Sequence, residues 1–339
     1  MADNPIAGSP VDRDFLSQAD PYRRELLAHC YRMLGSVHDA EDLVQETYLR
    51  AWRAYDRFEG RSPVRTWLYR IATSACLTAL ESRSRRPLPT GLGGPSTELD
   101  DGAGMRPEVP WLEPVPDAAV GAEGTDPAAI VTSRETIRLA LVAALQHLPP
   151  RQRAVLVLRD VLKWRAAEVA EVLDTTTTAV NSILQRARAQ LEQVAPSADE
   201  VVEPATQDQR ELLDRYVSAF EDRDIAAIVA LFTSDVAWEM PPYPAWYQGR
   251  DTIGRHLAQM CPGRPGDVRL VPTMANGQPA FGIYLRGEDG VHRATSLQVL
   301  TLTGGAISNV TMFLDLRLFD TFGLPPTQPA AGRVQPAQR

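Results

Sequence analysis

Cysteine is scarce. Cys30, Cys76 and Cys261 are the three in 339 residues, far apart, with no CxxC pair and no even set for a disulfide framework. That excludes a disulfide-stapled secreted scaffold and points to a reducing compartment. No run approaches the ~18 consecutive apolar residues of a membrane span, and Met1-Ala2-Asp3-Asn4 lacks the basic and then apolar start of a signal segment. The chain reads as cytoplasmic, with no membrane association. No set of His, Cys, Asp and Glu has metal-ligand spacing and no GxxxxGK[ST] phosphate loop occurs, so neither a metal nor a cofactor is expected. No repeat of fixed period is present. At 44% hydrophobic, 23% charged and 7% aromatic, the chain has globular composition, long enough for two or three domains.

The net charge of -8 argues against nucleic acid only as an average. Residues 61–86 carry a net +5, residues 87–133 a net -7, residues 134–193 a net +3 and the C-terminal residues 194–339 a net -5. Two basic helical regions separated by an acidic tether make a different object from an acidic globule.

Apolar residues at three- and four-residue spacing predict helices over 12–86. Periodicity stops from Pro87 to residue 133, where Pro, Gly and acidic residues predict a linker. Within it, Trp111-Leu112 is anomalous, because a free tether gains nothing from exposed aromatic surface; docking on a neighbouring domain is one reading, an incidental residue in a mobile loop the other. Helical periodicity returns over 134–194. Residues 206–324 then combine one or two helices (Asp208–Phe220, Ile225–Phe232) with short alternating strands and Gly-rich turns. These predict an α+β domain with helices on one face of an antiparallel sheet. The Pro/Gln/Ala-rich segment 325–339 reads as a disordered tail.

In the first helical region, Val37, Ala40, Val44, Thr47, Ala51 and Tyr55 form one buried stripe. Asp39, Asp42, Gln45, Glu46, Leu49, Arg50 and Arg53 fall outside it. That outward face is acidic at its start and carries an exposed leucine; a solvated helix face and a partner surface both fit it. The following Phe58–Ala72 segment is a Gly/Ser/Pro turn and a helix interleaving Arg61, Arg65 and Arg70 with Trp67 and Tyr69. Arginine neutralises phosphate and aromatic rings stack on unpaired bases, the composition of a single-stranded DNA surface. Trp67 and Ile71 equally suit core positions.

In the second region, Leu148–Arg159 opens a helix with Pro in its first turn. Ala166–Leu173 is a short helix, Asp174-Thr175-Thr176 the turn, and Thr177–Arg188 a second helix. Val180, Ile183, Leu184 and Ala187 face inward. Thr178, Ala179, Asn181, Ser182, Gln185, Arg186 and Arg188 face outward, with Thr177 at the helix start. This is a helix-turn-helix, whose second helix reads base edges in the major groove while its basic residues hold phosphates.

The runs Asp39–Thr47, Phe58-Glu59-Gly60 and Thr66–Ala72 resemble region 2 of extracytoplasmic-function sigma factors, within the sigma-70 type. Leu148–Arg153 and the helix-turn-helix resemble region 4. Order and tether agree with that family. The resemblance implies a transcription initiation factor with two all-α domains, region 2 and region 4, that binds core RNA polymerase and directs it to promoter DNA. Asp42, Leu43, Gln45, Glu46 and Leu49 would meet the clamp helices of the largest catalytic subunit, and region 4 the flap. Arg61, Ser62, Arg65, Trp67, Arg70 and Ser74 would capture and melt the -10 element; the Thr177–Arg188 helix would read the -35 element. Ser74 and Thr78 stand where the family often has Asn and Asp.

Through Leu212–Phe220, the Asp224–Trp238 helix-to-strand pattern and the ending Asn309-Val310-Thr311-Met312-Phe313, the segment from about 206 to 320 resembles a SnoaL-like domain, the α+β cone of polyketide cyclases and ketosteroid isomerases. Acid–base chemistry there needs a carboxylate or His in an apolar pocket. Asp235, Asp251, His256, His292 and Asp315 are the candidates. Asp235 suits a turn, Asp251 a helix cap, His292 a solvated strand end, and Asp315 has the most apolar neighbours. Trp238, Met240, Tyr243, Trp246 and Tyr247 suit either core or a ligand pocket. The expectation is no catalytic residue: the domain regulates in cis, docking with the linker on the sigma domains. The alternative is a sigma-like DNA-binding protein whose C-terminal domain is an isomerase or cyclase.

Overall fold

The computed structural model describes residues 10–82, 85–97, 104–121, 136–194, 207–260 and 263–329. They form two compact units. One joins residues up to Arg86 with those from Leu112 to Pro196; the other joins Pro87–Trp111 with the chain from Ser197.

The first unit is helical. Its first half holds α1 (Pro10–Ala19), α2 (Arg23–Leu34), α3 (Val37–Ala54) and α4 (Val64–Glu81). Helix α2 is buried from Leu26 to Leu34; α3 and α4 pack on it, and α1 packs on α3 and α4. Ser36 is extended, and its Oγ accepts from the Asp39 backbone N–H at 3.1 Å, which fixes where α3 begins. The predicted stripe Val37, Ala40, Val44, Thr47 and Ala51 is buried. Tyr55 instead belongs to a 3-10 turn, its ring against Phe15 at 5.3 Å.

The second half contains α5 (Asp117–Val120), α6 (Leu139–Leu145), α7 (Pro150–Leu156) with a wider π-helical turn at Val157–Val161, α8 (Ala166–Val172) and α9 (Thr177–Val194). Pro150 occupies the first turn of α7 as predicted. Thr176 Oγ1 accepts from Ala179 N–H at 3.2 Å and starts α9. Val180, Leu184 and Ala187 are buried, while Ile183 is half-buried.

The second unit is α+β: α10 (Gln207–Glu221), α11 (Ile225–Ala230), β1 (Phe232–Glu239), β2 (Trp246–Gln248), α12 (Arg250–Met260), β3 (Val268–Ala275), β4 (Gln278–Arg286), β5 (His292–Thr303), β6 (Ala306–Phe313), α13 (Arg317–Thr321) and β7 (Thr327–Gln328). The strand order is β2-β1-β6-β5-β4-β3, with β7 on β5. The sheet is mixed, because β1 runs parallel to β6; this corrects the antiparallel expectation. The β3–β4 hairpin turns on Asn276-Gly277, both at positive φ, the turn that matches strand twist. Helices α10–α12 pack Tyr216, Phe220, Ile228, Ile253 and Leu257 against Trp238, Phe281, Leu300 and Val310 of the sheet. Alternation turns Glu239, Thr311, Val299, Ala280 and Gly282 to the opposite face. A side chain at Gly282 would collide with Leu324 and Phe319, so glycine lets the chain around α13 lie on that face.

The linker expectation is corrected for its described parts. Residues 87–97 and 104–111 belong to the second unit. Ser96 N–H donates to Trp246 C=O at 2.7 Å, Arg106 N–H to Pro242 C=O at 2.9 Å, and Trp246 Nε1 to Gly93 C=O at 3.0 Å. The next residues serve the first unit: Glu113 N–H donates to Gly35 C=O at 2.9 Å, and Tyr31 Oη to Glu113 C=O at 2.8 Å. Trp111 and Leu112, the anomalous pair, are both buried. Of the predicted tail, Thr327–Gln328 pairs as a strand; residues 330–339 lie outside the described residues, as does Cys261.

Candidate nucleic-acid and polymerase interfaces

On α3 the structure brings the predicted partner face together. Asp42, Gln45 and Leu49 are exposed along one side, Glu46 lies half-exposed between them, and Leu43 is turned partly inward. Glu46 also accepts from Arg50 Nε at 2.7 Å. Beside this face runs an apolar groove of about 600 Å³ lined by Phe15, Leu16, Arg23, Val44, Gln45, Tyr48, Leu49 and Trp52. Leu16, Leu49 and Trp52 are each nearly half exposed. Sequence reading missed Leu16 and Trp52. Gln45, Leu49 and Trp52 recur at four and three residues, and that spacing was the available signal.

Helix α4 divides its predicted DNA residues between two faces. Trp67, Arg70 and Ser74 line one side at three- and four-residue spacing, with Arg70 and Ser74 exposed and the Trp67 ring stacked on Phe58 at 4.6 Å. Arg61 and Ser62 lie in the preceding loop, where Arg61 pairs with Glu59 at 2.5 Å across a largely exposed gap. Arg65 projects elsewhere. Its guanidinium binds Glu25 at 2.8–3.1 Å, and this bond, with burial opposing, raises its pKa.

On α9 the predicted residues stay together. Thr177, Thr178, Asn181, Ser182, Gln185, Arg186 and Arg188 are exposed and Ala179 is half-exposed. Arg188 bonds Asp160 with both Nε and Nη2, at 2.8 and 2.7 Å. Arg186 makes no hydrogen bond or ion pair among the described residues.

In the second unit the acid–base candidates scatter. Asp235 and Asp251 are exposed, the latter inside the first turn of α12. Asp315 is a turn residue that accepts from Arg317 at 2.6–3.0 Å. His256 is buried against Tyr247 with ring centroids 4.4 Å apart, and burial pushes its pKa down to about 4. His292 corrects the solvated-strand expectation: it is buried, with Nε2 at 3.0 Å from Gly266 C=O. Trp238 and Tyr247 are core, Met240 packs against that core, and Tyr243 and Trp246 are half-exposed. The buried acid that sequence reading missed is Glu239. It accepts from Thr311 Oγ1 at 2.9 Å, Thr90 N–H at 3.2 Å and Asn309 Nδ2 at 3.4 Å. Burial raises its pKa in spite of these bonds. A glutamate standing between Trp238 and Met240 in a strand was its one sequence signal.

Among the described residues no three His, Cys, Asp or Glu side chains are placed to hold a metal ion, and no helix is long and apolar enough to cross a membrane.

A basic helical module with a partner groove, a helix-turn-helix with an outward polar face and an α+β domain together define a multidomain transcription factor. Comparison with known families agrees: residues 19–86 match Sigma-70 region 2, residues 138–191 match Sigma-70, region 4, and residues 213–310 match the SnoaL-like domain. The ECF RNA polymerase sigma factor SigG of Mycobacterium tuberculosis is 58% identical over 314 residues, covering 92% of this chain and 84% of that protein. SigJ of the same organism is 30% identical over 302 residues, covering 85% and 87%. The crystal structure of SigJ superposes with a TM-score of 0.60 at 26% identity, covering 91% of this chain and all of that one. The chain belongs to the ECF RNA polymerase sigma factors.

Proposed function

We propose that the outer face of α3 and its groove form the core-polymerase surface. Asp42, Gln45 and Glu46 supply complementary charge to a basic partner, and Leu49 with Trp52 supplies the apolar anchor. The observation that carries this is the exposed apolar groove beside an acidic helix face, on a helix whose opposite side is fully committed to the core. Arg61, Ser62, Trp67, Arg70 and Ser74 take the -10 element, with Trp67 available to stack on an unpaired base and Arg70 to hold phosphate. The N-terminal half of α9 reads the -35 element, and Arg186 holds its backbone. The protein acts with RNA polymerase in the cytoplasm.

The C-terminal domain regulates this activity in cis. Its support is the tether: residues 87–97 and 104–111 are packed into the C-terminal unit, and residues 112–116 onto the start of α3. Glu113 Oε2 accepts from Ser36 Oγ at 2.6 Å and lies 2.9 Å from His38 Nδ1. Residues 104–116 therefore run without a break from the C-terminal unit to the start of the polymerase-binding helix. Glu239 is spent on the chain's own Thr90, and this favours regulation over catalysis at that carboxyl.

Leu49→Asp in the full chain tests the polymerase surface. Core affinity falls at least about tenfold while the melting temperature is kept, since the site is exposed. Wild-type affinity in this variant refutes the assignment.

A further inference from the structure

Lysine is almost absent from this chain. Of its 35 lysine and arginine side chains, Lys163 is the single lysine and the other 34 are arginine. A guanidinium serves an ion pair or a phosphate at least as well as an ammonium does. What it does not supply is a nucleophilic amine, because arginine is not deprotonated in proteins. Side-chain amine chemistry is therefore confined to one position.

That position lies in the helix-turn-helix. Lys163 stands between the π-helical turn Val157–Val161 and α8, at φ +58°, in the left-handed region that ordinary side chains rarely adopt. Its neighbours hold it there. Leu162 N–H donates to Val157 C=O at 2.9 Å, Trp164 N–H to Leu158 C=O at 3.0 Å, and Arg159 Nη1 to Trp164 C=O. The backbone is thus fixed on both sides while the Lys163 side chain is exposed. The flanking cations are committed: Arg165 pairs with Glu168 at 2.9 Å, and Arg188 of α9 with Asp160 at 2.7 Å. Those carboxylates are the nearest to Lys163 in sequence, and both are taken. Lys163 makes no hydrogen bond or ion pair among the described residues, so its charge stands uncancelled.

The Asp160–Arg188 pair also ties this turn to the reading helix, because Arg188 belongs to the exposed face of α9. In a helix-turn-helix the first helix crosses the DNA backbone while the second lies in the groove. An uncancelled ammonium just ahead of the first helix accordingly meets a phosphate when α9 is seated.

We infer that Lys163 is an acyl-acceptor site, at which a small anionic acyl donor of the acyl phosphate class weakens promoter binding. This rests on the assignment of α9 to duplex DNA. The ammonium first releases a proton to water, and the amine Nζ attacks the acyl carbon. A C–N bond forms as the bond from that carbon to the phosphate oxygen breaks. Phosphate departs with the electron pair, and the second proton passes to solvent. A neutral amide replaces a cation, so one positive charge leaves the DNA-facing side. The basic surroundings gather the anionic donor, and bound DNA, which covers the same charge, excludes it.

The test treats the purified full chain with acetyl phosphate, alone and with a duplex that the chain has selected from a random-sequence library. Peptide mass spectrometry maps the acetyl group and follows its rate of addition. Lys163 should carry it, and duplex at ~10 times its Kd should slow the reaction about tenfold. A phosphate contact contributes about 0.9 to the slope of log K against log salt. Its loss weakens binding about eightfold at ~0.1 M salt and leaves binding at ~1 M salt unchanged. The acetylated chain and Lys163→Gln should both show this at the wild-type melting temperature, since the site is exposed. Lys163→Arg should keep wild-type affinity and slope, with or without acetyl phosphate. Equal acetylation rates with and without duplex overturn the inference, as does an acetylated chain with the wild-type slope. An effect of acetyl phosphate that persists in Lys163→Arg places the reactive group elsewhere and overturns it too. If the wild type binds no duplex of the library, the α9 assignment fails; if it binds and Lys163→Gln binds equally well, that assignment stands and only the inference falls.

Discussion

Arg186 and Arg188 stand two residues apart on α9, yet the structure predicts different behaviour for them. Arg186 projects from the exposed face with no competing partner among the described residues, so a phosphate contact there neutralises one charge. Each such contact steepens the dependence of log K on log salt by about 0.9. Between 50 and 200 mM salt, a fourfold change, one contact is therefore worth a factor of about 3.5. Arg186→Ala should flatten the slope by about 0.9 and bind most weakly, relative to wild type, at low salt. Arg188 must first leave Asp160, to which it is held at 2.7 and 2.8 Å. An exposed pair of this kind is worth about 0.2–1 kcal/mol, so Asp160→Asn should tighten binding by roughly 1.4- to 5-fold. Arg188→Ala accordingly costs less than Arg186→Ala. Fluorescence anisotropy with one labelled promoter duplex over a salt series measures all four proteins. If Arg186→Ala leaves the slope at its wild-type value, or Asp160→Asn weakens binding, α9 does not meet DNA as described.

Two further predictions follow from buried groups. Glu239→Gln should raise the melting temperature near neutral pH. The folded pKa of Glu239 lies above its unfolded value, so its contribution is full at low pH and lost as pH rises through the folded pKa. The neutral amide escapes that loss, and its N–H gains an acceptor when the Asn309 amide, whose Nδ2 now faces the carboxyl, turns over to present its unpartnered Oδ1. The difference from wild type should close near pH 4; a variant less stable at every pH contradicts this. Cys30 and Cys76 are free and buried, and hydrogen bonding to Cys30 together with burial raises the Cys76 thiol well above its ordinary pKa. Both should resist iodoacetamide in the native protein and react once it is unfolded, as peptide mapping will show; rapid native labelling at either position means that α2 and α4 open locally.

Residues whose neighbours lie along the same helix were legible in the sequence. The α3 stripe and the outward face of α9 follow from a 3.6-residue period, and Ser36 and Thr176 mark helix starts through short polar side chains. Residues whose role is set by distant packing were not. Arg65 and Arg70 share a helix and a chemistry; the period alone sets them about 140° apart round α4, but only the placement of Glu25 shows that Arg65 is committed to an ion pair. The Pro/Gly-rich segment lacks periodicity because prolines remove donors and favour extended backbone, yet Thr90, Ser96 and Arg106 still find partners on the C-terminal domain. His292 looked solvated beside the Gly290 turn until Gly266, 26 residues away, supplied its acceptor. The parallel pairing of β1 with β6 joins strands about 70 residues apart, as in Trp238 with Val310, and no local pattern announces it.

The most direct measurement is promoter-specific initiation by core RNA polymerase freed of other sigma factors and supplied with the purified full chain on a library of promoter sequences. The account predicts a stoichiometric complex, and transcripts only from templates that carry two separated elements. A chain that fails to bind core, or that gives no more specific initiation than core alone, would contradict it.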